Sequence, residues 1–256
     1  MNLYELPGSA VPVPQKEVCR YLGYRGISPD EAIADRIQSC IVQLQEKSHP
    51  RSVWLPCSFF IEEASDNPAN TGLSDRTAGT GTPGTGAYGA DAPVLHIGDM
   101  IFPSRQLAGN LRGCQSVVLM AATIGPGADF LIRRAEATDM LDAAILQAAG
   151  AAMAESWCDL VNRKINDIMK EKGLWPRPRF SPGYGDVPLA LQKDFSSRLS
   201  LPASCGISLT ETLLMVPSKS VTAFIGFSEK KEPCVLEGCE VCSHAQNCAF
   251  RRTSAS

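Results

Sequence analysis

The chain has no stretch approaching the about 18 consecutive apolar residues of a membrane span. Its first residues, MNLYELPGSAVPVPQKEV, carry no basic segment followed by an apolar one. Both absences argue against a membrane or secreted protein, and the expectation is a cytoplasmic one. Nor is there an excess of positive charge. Lys and Arg number 24 against 27 Asp and Glu, a formal net charge of −3, which provides no broad electrostatic reason to bind nucleic acid or an anionic membrane surface. No internal repeat is present.

What is there suffices for a globular core: 256 residues, 44% of them apolar. Ten cysteines would be unusual as disulfides in a reducing compartment, so a cluster among them points to metal or redox chemistry. That cluster is at the end, where Cys234, Cys239, Cys242 and Cys248 follow the pattern C-x4-C-x2-C-x5-C. Thiolates are soft ligands for zinc or iron–sulfur, and Gly238 allows the backbone to wrap. The first three match a plant-type ferredoxin spacing and the fourth departs from it, so cluster type stays open, as does His244 in place of one thiol. The alternative is four reduced thiols on a frayed tail. The other six cysteines, Cys19, Cys40, Cys57, Cys114, Cys158 and Cys205, are scattered and read as apolar filler.

Along the chain, residues 1–27 read as irregular. Ser28-Pro29-Asp30-Glu31 then predicts a helix with Ser28 as its cap and Ile33, Ile37, Cys40, Ile41 and Leu44 on one face. Val53–Ile61 predicts a strand placed at a sheet edge by Pro56. From about 63 to 92 the composition collapses into Gly, Thr, Asp, Ala and Asn, a flexible insertion. Gly79–Gly84 inside it matches G-x-G-x-x-G literally, yet no strand precedes it, Pro83 interrupts it and no helix follows, so no dinucleotide site is assigned. Val94–Phe102 predicts a strand, Ser104 a helix cap, and the unbroken run Ser116–Thr123 a fully buried strand. Helical patterns fill Ala128–Lys172 with a break near Ala137-Thr138, and Gly173 stops the second of them. That long helix carries Glu155 in its alanine-rich half, which reads either as a functional group or as the solvent stripe. Ile207–Val216 and Val221–Phe227 are two apolar segments meeting at Pro217–Ser220.

The stretch Pro176–Phe195, PRPRFSPGYGDVPLALQKDF, is the least generic. Pro176, Pro178 and Pro182 fix φ and push their predecessors toward extended backbone, which predicts a stiff ribbon. Arg177 and Arg179 offer planar forks for a carboxylate, Tyr184 a flat face with a hydroxyl, and Gly183 and Gly185 either close backbone approach or a positive φ. Together these suit a small zwitterionic or aromatic ligand; the alternative is a surface turn with solvated arginines.

With those pieces in place, the chain resembles the S-adenosylmethionine-binding activation domain of vitamin B12 (cobalamin)-dependent methionine synthase, in its stand-alone form. The resemblance lies in Arg179-x-x-x-Gly183-Tyr184, in Ala154-Glu155 on the long helix, and in Leu209-Thr210-Glu211 with Met215-Val216-Pro217 and Ser220-Val221. It covers about 94 to 227, with 21 to 61 weaker. It implies an α+β fold, a mainly antiparallel twisted sheet packed with long helices over 1–230; the 63–92 insertion and the cysteine-rich tail 231–256 are departures, not part of the fused enzyme's activation domain. It implies S-adenosylmethionine held by Arg179, Pro182, Gly183, Tyr184 and Glu155. It further implies reductive remethylation of the cobalamin of a separate methionine synthase lacking its own activation domain, with a reduced electron-transfer protein as second partner. An iron–sulfur cluster or zinc on the tail is then a second cofactor. The alternative is a sensor module that binds S-adenosylmethionine or metal and transfers nothing. Cobalamin is expected on the partner, because D-x-H-x-x-G is missing: His96-Ile97-Gly98 has neither the aspartate before nor the spacing after.

Overall fold

A computed structural model describes residues 1–24, 26–63 and 92–231. The glycine-rich stretch with its G-x-G-x-x-G string, apart from its end residues Glu63 and Ala92, and all four tail cysteines lie outside the described residues. In chain order the elements are β1 (Asn2–Glu5), α1 (Gln15–Tyr21), α2 (Glu31–Lys47), β2 (Arg51–Cys57), β3 (Phe59–Glu62), β4 (Val94–Ile97), β5 (Met100–Pro103), α3 (Arg105–Leu111), β6 (Ser116–Thr123), α4 (Gly127–Glu136), α5 (Met140–Lys170), β7 (Trp175–Pro176), α6 (Gln192–Arg198), α7 (Leu201–Ser204), β8 (Ser208–Leu209), β9 (Met215–Val216) and β10 (Ser220–Ser228).

The chain is α+β, as expected. Its centre is a five-stranded antiparallel sheet of order β1-β2-β6-β10-β7, with a three-stranded sheet β3-β4-β5 and the short pair β8-β9 beside it. Helices cover the central sheet on both faces. Val118, Met120, Ala122, Ile225 and Phe227 point to a core built with α1, α2, α4 and α5. Val117, Leu119, Ala121 and Phe224 point to a second core with α3, α6 and the small sheet. An antiparallel sheet buried on both faces loses the usual polar alternation, which is why Ser116–Thr123 reads as an unbroken apolar run.

Several boundaries differ from the sequence reading. The first 27 residues are not irregular: β1 pairs with β2, and α1 buries Val18. The cap of α2 is Asp30, whose carboxylate accepts from Ile33 N at 2.8 Å, rather than Ser28. Val53–Ile61 splits at Ser58 into strands of two different sheets, and Val94–Phe102 folds into a hairpin at Gly98-Asp99. Pro56 belongs to an interior strand, yet β1 ends opposite Trp54, so the proline stands where β2 has no neighbour on that side.

Helix α5, at 31 residues, is about 46 Å long. No helix among the described residues is long and apolar enough to cross a membrane. Trp157 anchors it, fully buried, its indole donating to Arg51 O at 3.1 Å and stacking on Tyr4. At its end Leu174 N bonds Met169 O (3.1 Å) and Gly173 N bonds Lys170 O (2.9 Å), with Gly173 at φ +73. This left-handed glycine stop turns the chain through a reversal that other residues adopt only at a cost.

After that stop the chain returns as β7 and its continuation, closing in a turn at 181–187. Asp186 ties the turn to α3: its carboxylate accepts from Ser104 Oγ, from Arg105 N at 2.6 Å and from Gln106 N at 3.3 Å. Ser104 itself caps α3 through Leu107 N at 3.0 Å. Replacing Asp186 by alanine strands these donors, so Asp186→Ala is expected to cost about 1–3 kcal/mol, with Asp186→Asn retaining part of it. Urea denaturation checks this: the midpoint falls at constant slope, and an unchanged midpoint contradicts the assignment.

Candidate functional site

Arg179 is brought to α5 by a length match. From Leu174 to Arg179 is five residues of extended chain, about 17 Å at roughly 3.3 Å each. From Lys170 back to Asp159 is eleven residues of helix, also about 17 Å at roughly 1.5 Å each. The ribbon therefore carries its arginine back alongside the middle of the helix it has just left. Nη1 of Arg179 donates to Asp159 Oδ1 at 3.0 Å, and Nη2 to Glu155 Oε2 at 3.2 Å. The two carboxylates stand four residues apart, neighbours on one ridge of α5.

A bulge sets which arginine points there. The ribbon pairs with β10 through Pro176 opposite Phe227, then Arg177 N to Gly226 O at 2.7 Å, then Phe180 and Phe224 exchanging both bonds at 2.9 and 2.8 Å. Between Arg177 and Phe180 the ribbon advances three residues while β10 advances two. In an unbroken strand Arg177 and Arg179 would share a face; the extra residue sends them to opposite ones. Arg177 is buried with its stem against Gly226, where an added Cβ would lie 3.3 Å from its Cγ. Asn110 donates to Pro178 O at 3.4 Å beside it. Arg177 is thus packed on the α3 side, and Arg179 belongs to the α5 side.

The other residues of the motif shape the turn. Pro182 is buried. Gly183 and Gly185 have φ of +85 and +59, and added Cβ atoms would meet Leu189 Cδ1 at 2.9 Å and Gln106 Oε1 at 2.0 Å. Both glycines are exposed and take the positive φ that glycine adopts readily, and a Cβ at either would have to push a neighbouring side chain aside. Gly183 N bonds Val187 O at 2.9 Å and Tyr184 N bonds Ser181 O at 3.1 Å, so both amides serve the turn. Tyr184 is half exposed, its ring edge-on to buried Phe180 at 5.5 Å.

Of the residues singled out from sequence, the structure joins Glu155 and Arg179 directly and places Tyr184 a few residues along the same ribbon. Asp159 was missed. The signal for it is its i,i+4 spacing from Glu155, hidden because α5 carries several other charges beyond residue 158. Arg179 is the less exposed partner, at 21% of its side chain, against 49% for Glu155 and 60% for Asp159. One cation and two carboxylates leave a surplus of one negative charge. Beneath them Cys158 is buried, which pushes its thiol up to about 12, the Arg179 charge pulling the other way; it is a protonated filler, not a nucleophile. His96, the one fragment of a corrin motif considered, stacks on Phe60 at 4.0 Å and meets Glu62 at 3.2 Å. No group of three or more His, Cys, Asp or Glu arranged for a metal occurs among the described residues.

Two open clefts of about 390 and 400 Å³ flank β1 and β2, lined among others by Glu5, His49, Arg51 and Ser204. Neither touches the Arg179 cluster. Their volume reflects the groove beside an edge strand, and the charged pair that lines both, Glu5 and Arg51 at 3.6 Å, faces itself across the β1-β2 ladder and is largely exposed.

No protein-family model and no curated protein matches the chain. Among solved structures it is similar to the crystal structure of the MetH reactivation domain bound to AdoHcy, with a TM-score of 0.53 and 16% identity over 91% of this chain and 79% of that one. The likeness is one of fold: the curled antiparallel sheet with its surrounding helices is shared.

Proposed function

We propose that this protein binds S-adenosylmethionine at the junction of the ribbon and α5 and assists the reductive remethylation of cobalamin on a separate methionine synthase. The observation that carries this reading is the contact of Arg179 with Glu155 and Asp159. It lies on a fold like that of the MetH reactivation domain, whose structure holds AdoHcy. Arg179 provides a planar fork for the amino-acid carboxylate. The surplus negative charge complements S-adenosylmethionine, which carries one carboxylate against an ammonium and a sulfonium. Tyr184, half exposed and five residues after Arg179, offers its ring to the adenosine end, with Pro182 and Gly183 holding it in place.

Methyl transfer from a sulfonium requires a strong nucleophile, which reduced cobalamin on the partner supplies. This chain then needs no base of its own, and its contribution is orientation. In this reading it acts in trans in the cytoplasm, as the activation component of a methyltransferase, with an electron-transfer protein as reductant. Cys234, Cys239, Cys242 and Cys248 are proposed to hold an iron–sulfur cluster or zinc, and nothing in the binding argument depends on them.

Removing the charge-assisted pair is expected to cost about 1.5–3 kcal/mol, so Arg179→Ala weakens S-adenosylmethionine binding by roughly tenfold or more. Titration calorimetry on wild type and variant measures it; equal affinities take the ribbon out of the site. For the tail, anaerobic purification with metal analysis is expected to find iron and sulfide together. Zinc alone, with full reactivating activity, would make the tail a structural element.

A further inference from the structure

We infer that the cluster of Arg179, Glu155 and Asp159 reads the charge on the ligand's sulfur, so that the site prefers the methyl donor to the demethylated product of the same transfer. This rests on the reading that Arg179 grips the carboxylate of S-adenosylmethionine. The three groups form one electrostatic unit: Nη1 of Arg179 meets Asp159 at 3.0 Å and Nη2 meets Glu155 at 3.2 Å. Burial apart, the Cys158 thiol beneath them is acted on by all three, Arg179 in one direction and both carboxylates in the other. Their sum is a single negative charge.

Donor and product differ by one charge at one atom. S-adenosylmethionine carries a carboxylate, an ammonium and a sulfonium, a net single positive charge. When its methyl group passes to the reduced cobalamin of the partner, the carbon–sulfur bond breaks and leaves its electron pair on sulfur. The product, S-adenosylhomocysteine, is therefore a thioether whose remaining charges cancel. Every contact made by the carboxylate, the ammonium and the adenosine is open to both ligands, and only the sulfonium tells them apart. With the amino-acid end fixed at Arg179, sulfur stays close to the cluster, three single bonds from the α-carbon. Both carboxylates are about half exposed, at 49% and 60%, which places the interaction in the solvent-screened regime. At roughly 6 Å, with an effective dielectric constant between about 40 and that of water, one surplus charge changes affinity about three- to tenfold. The spent product accordingly leaves the site more easily than the donor does.

Titration calorimetry on the full chain compares S-adenosylmethionine, S-adenosylhomocysteine and sinefungin, in which a protonated amine stands where the sulfonium does. Wild type is expected to bind the donor about three- to tenfold more tightly than the product at low salt, with this affinity ratio falling as ionic strength rises. Sinefungin, which has the charge but no methyl group to transfer, is expected to side with the donor. Glu155→Gln and Asp159→Asn each lower the ratio, and the double variant brings it to one or below, because Arg179 then remains as the cluster's only charge. Loss of a merely structural contact would weaken both ligands alike and leave the ratio where it was. A wild-type ratio of one, a ratio unmoved by the double variant, or sinefungin bound no better than the product overturns the inference and leaves the functional reading standing. An Arg179→Ala variant that binds S-adenosylmethionine as tightly as wild type, or a wild type that binds none, removes the functional reading and this inference with it.

Discussion

The site depends on one geometric constraint, the reversal at Gly173 that sends an extended ribbon back along the helix it follows. Helix rises roughly 1.5 Å per residue and strand roughly 3.3 Å, so a short ribbon reaches far up α5. The left-handed glycine makes the reversal tight, and pairing with β10 keeps the ribbon straight. One extra residue between Arg177 and Phe180 then separates two arginines that strand alternation would have placed together. Arg177 becomes part of the packing against α3. Arg179 is delivered to Glu155 and Asp159.

Much of this was legible in the sequence, and the parts that were not share a cause. The proline-stiffened ribbon, the glycine stop, the Ser104 cap and the buried run Ser116–Thr123 are local signals, and each is found where the sequence places it. The bulge is not local: it is defined by the register against β10, some fifty residues downstream. The same holds for β1, whose four residues gain strand character only by pairing with β2, and for the split at Ser58, which depends on which sheet each half joins. At α2, Ser28 and Asp30 are both competent caps and local chemistry does not choose between them; Asp30 takes the role. Asp159 escaped notice because its significance comes from Arg179, twenty residues away.

The glycines of the ribbon show how one residue type serves two readings. In sequence, Gly183 and Gly185 suit a ligand that approaches the backbone. In the fold they admit Leu189 and Gln106 and give the turn its positive φ angles, so that Asp186 can reach the start of α3. The turn is thus tied down by its own hydrogen bonds and by Asp186, a few residues along the ribbon from the cluster of Arg179, Glu155 and Asp159.

The central claim is that the molecule presented is a methyl donor for a partner's cobalamin. The most direct measurement follows methyl-labelled S-adenosylmethionine in a mixture of this protein, a cobalamin-loaded methionine synthase lacking its activation region, and a reductant. The account predicts labelled methylcobalamin on the partner only when all components are present, and its loss when this protein is left out. Label transfer at the same rate without this protein would contradict it.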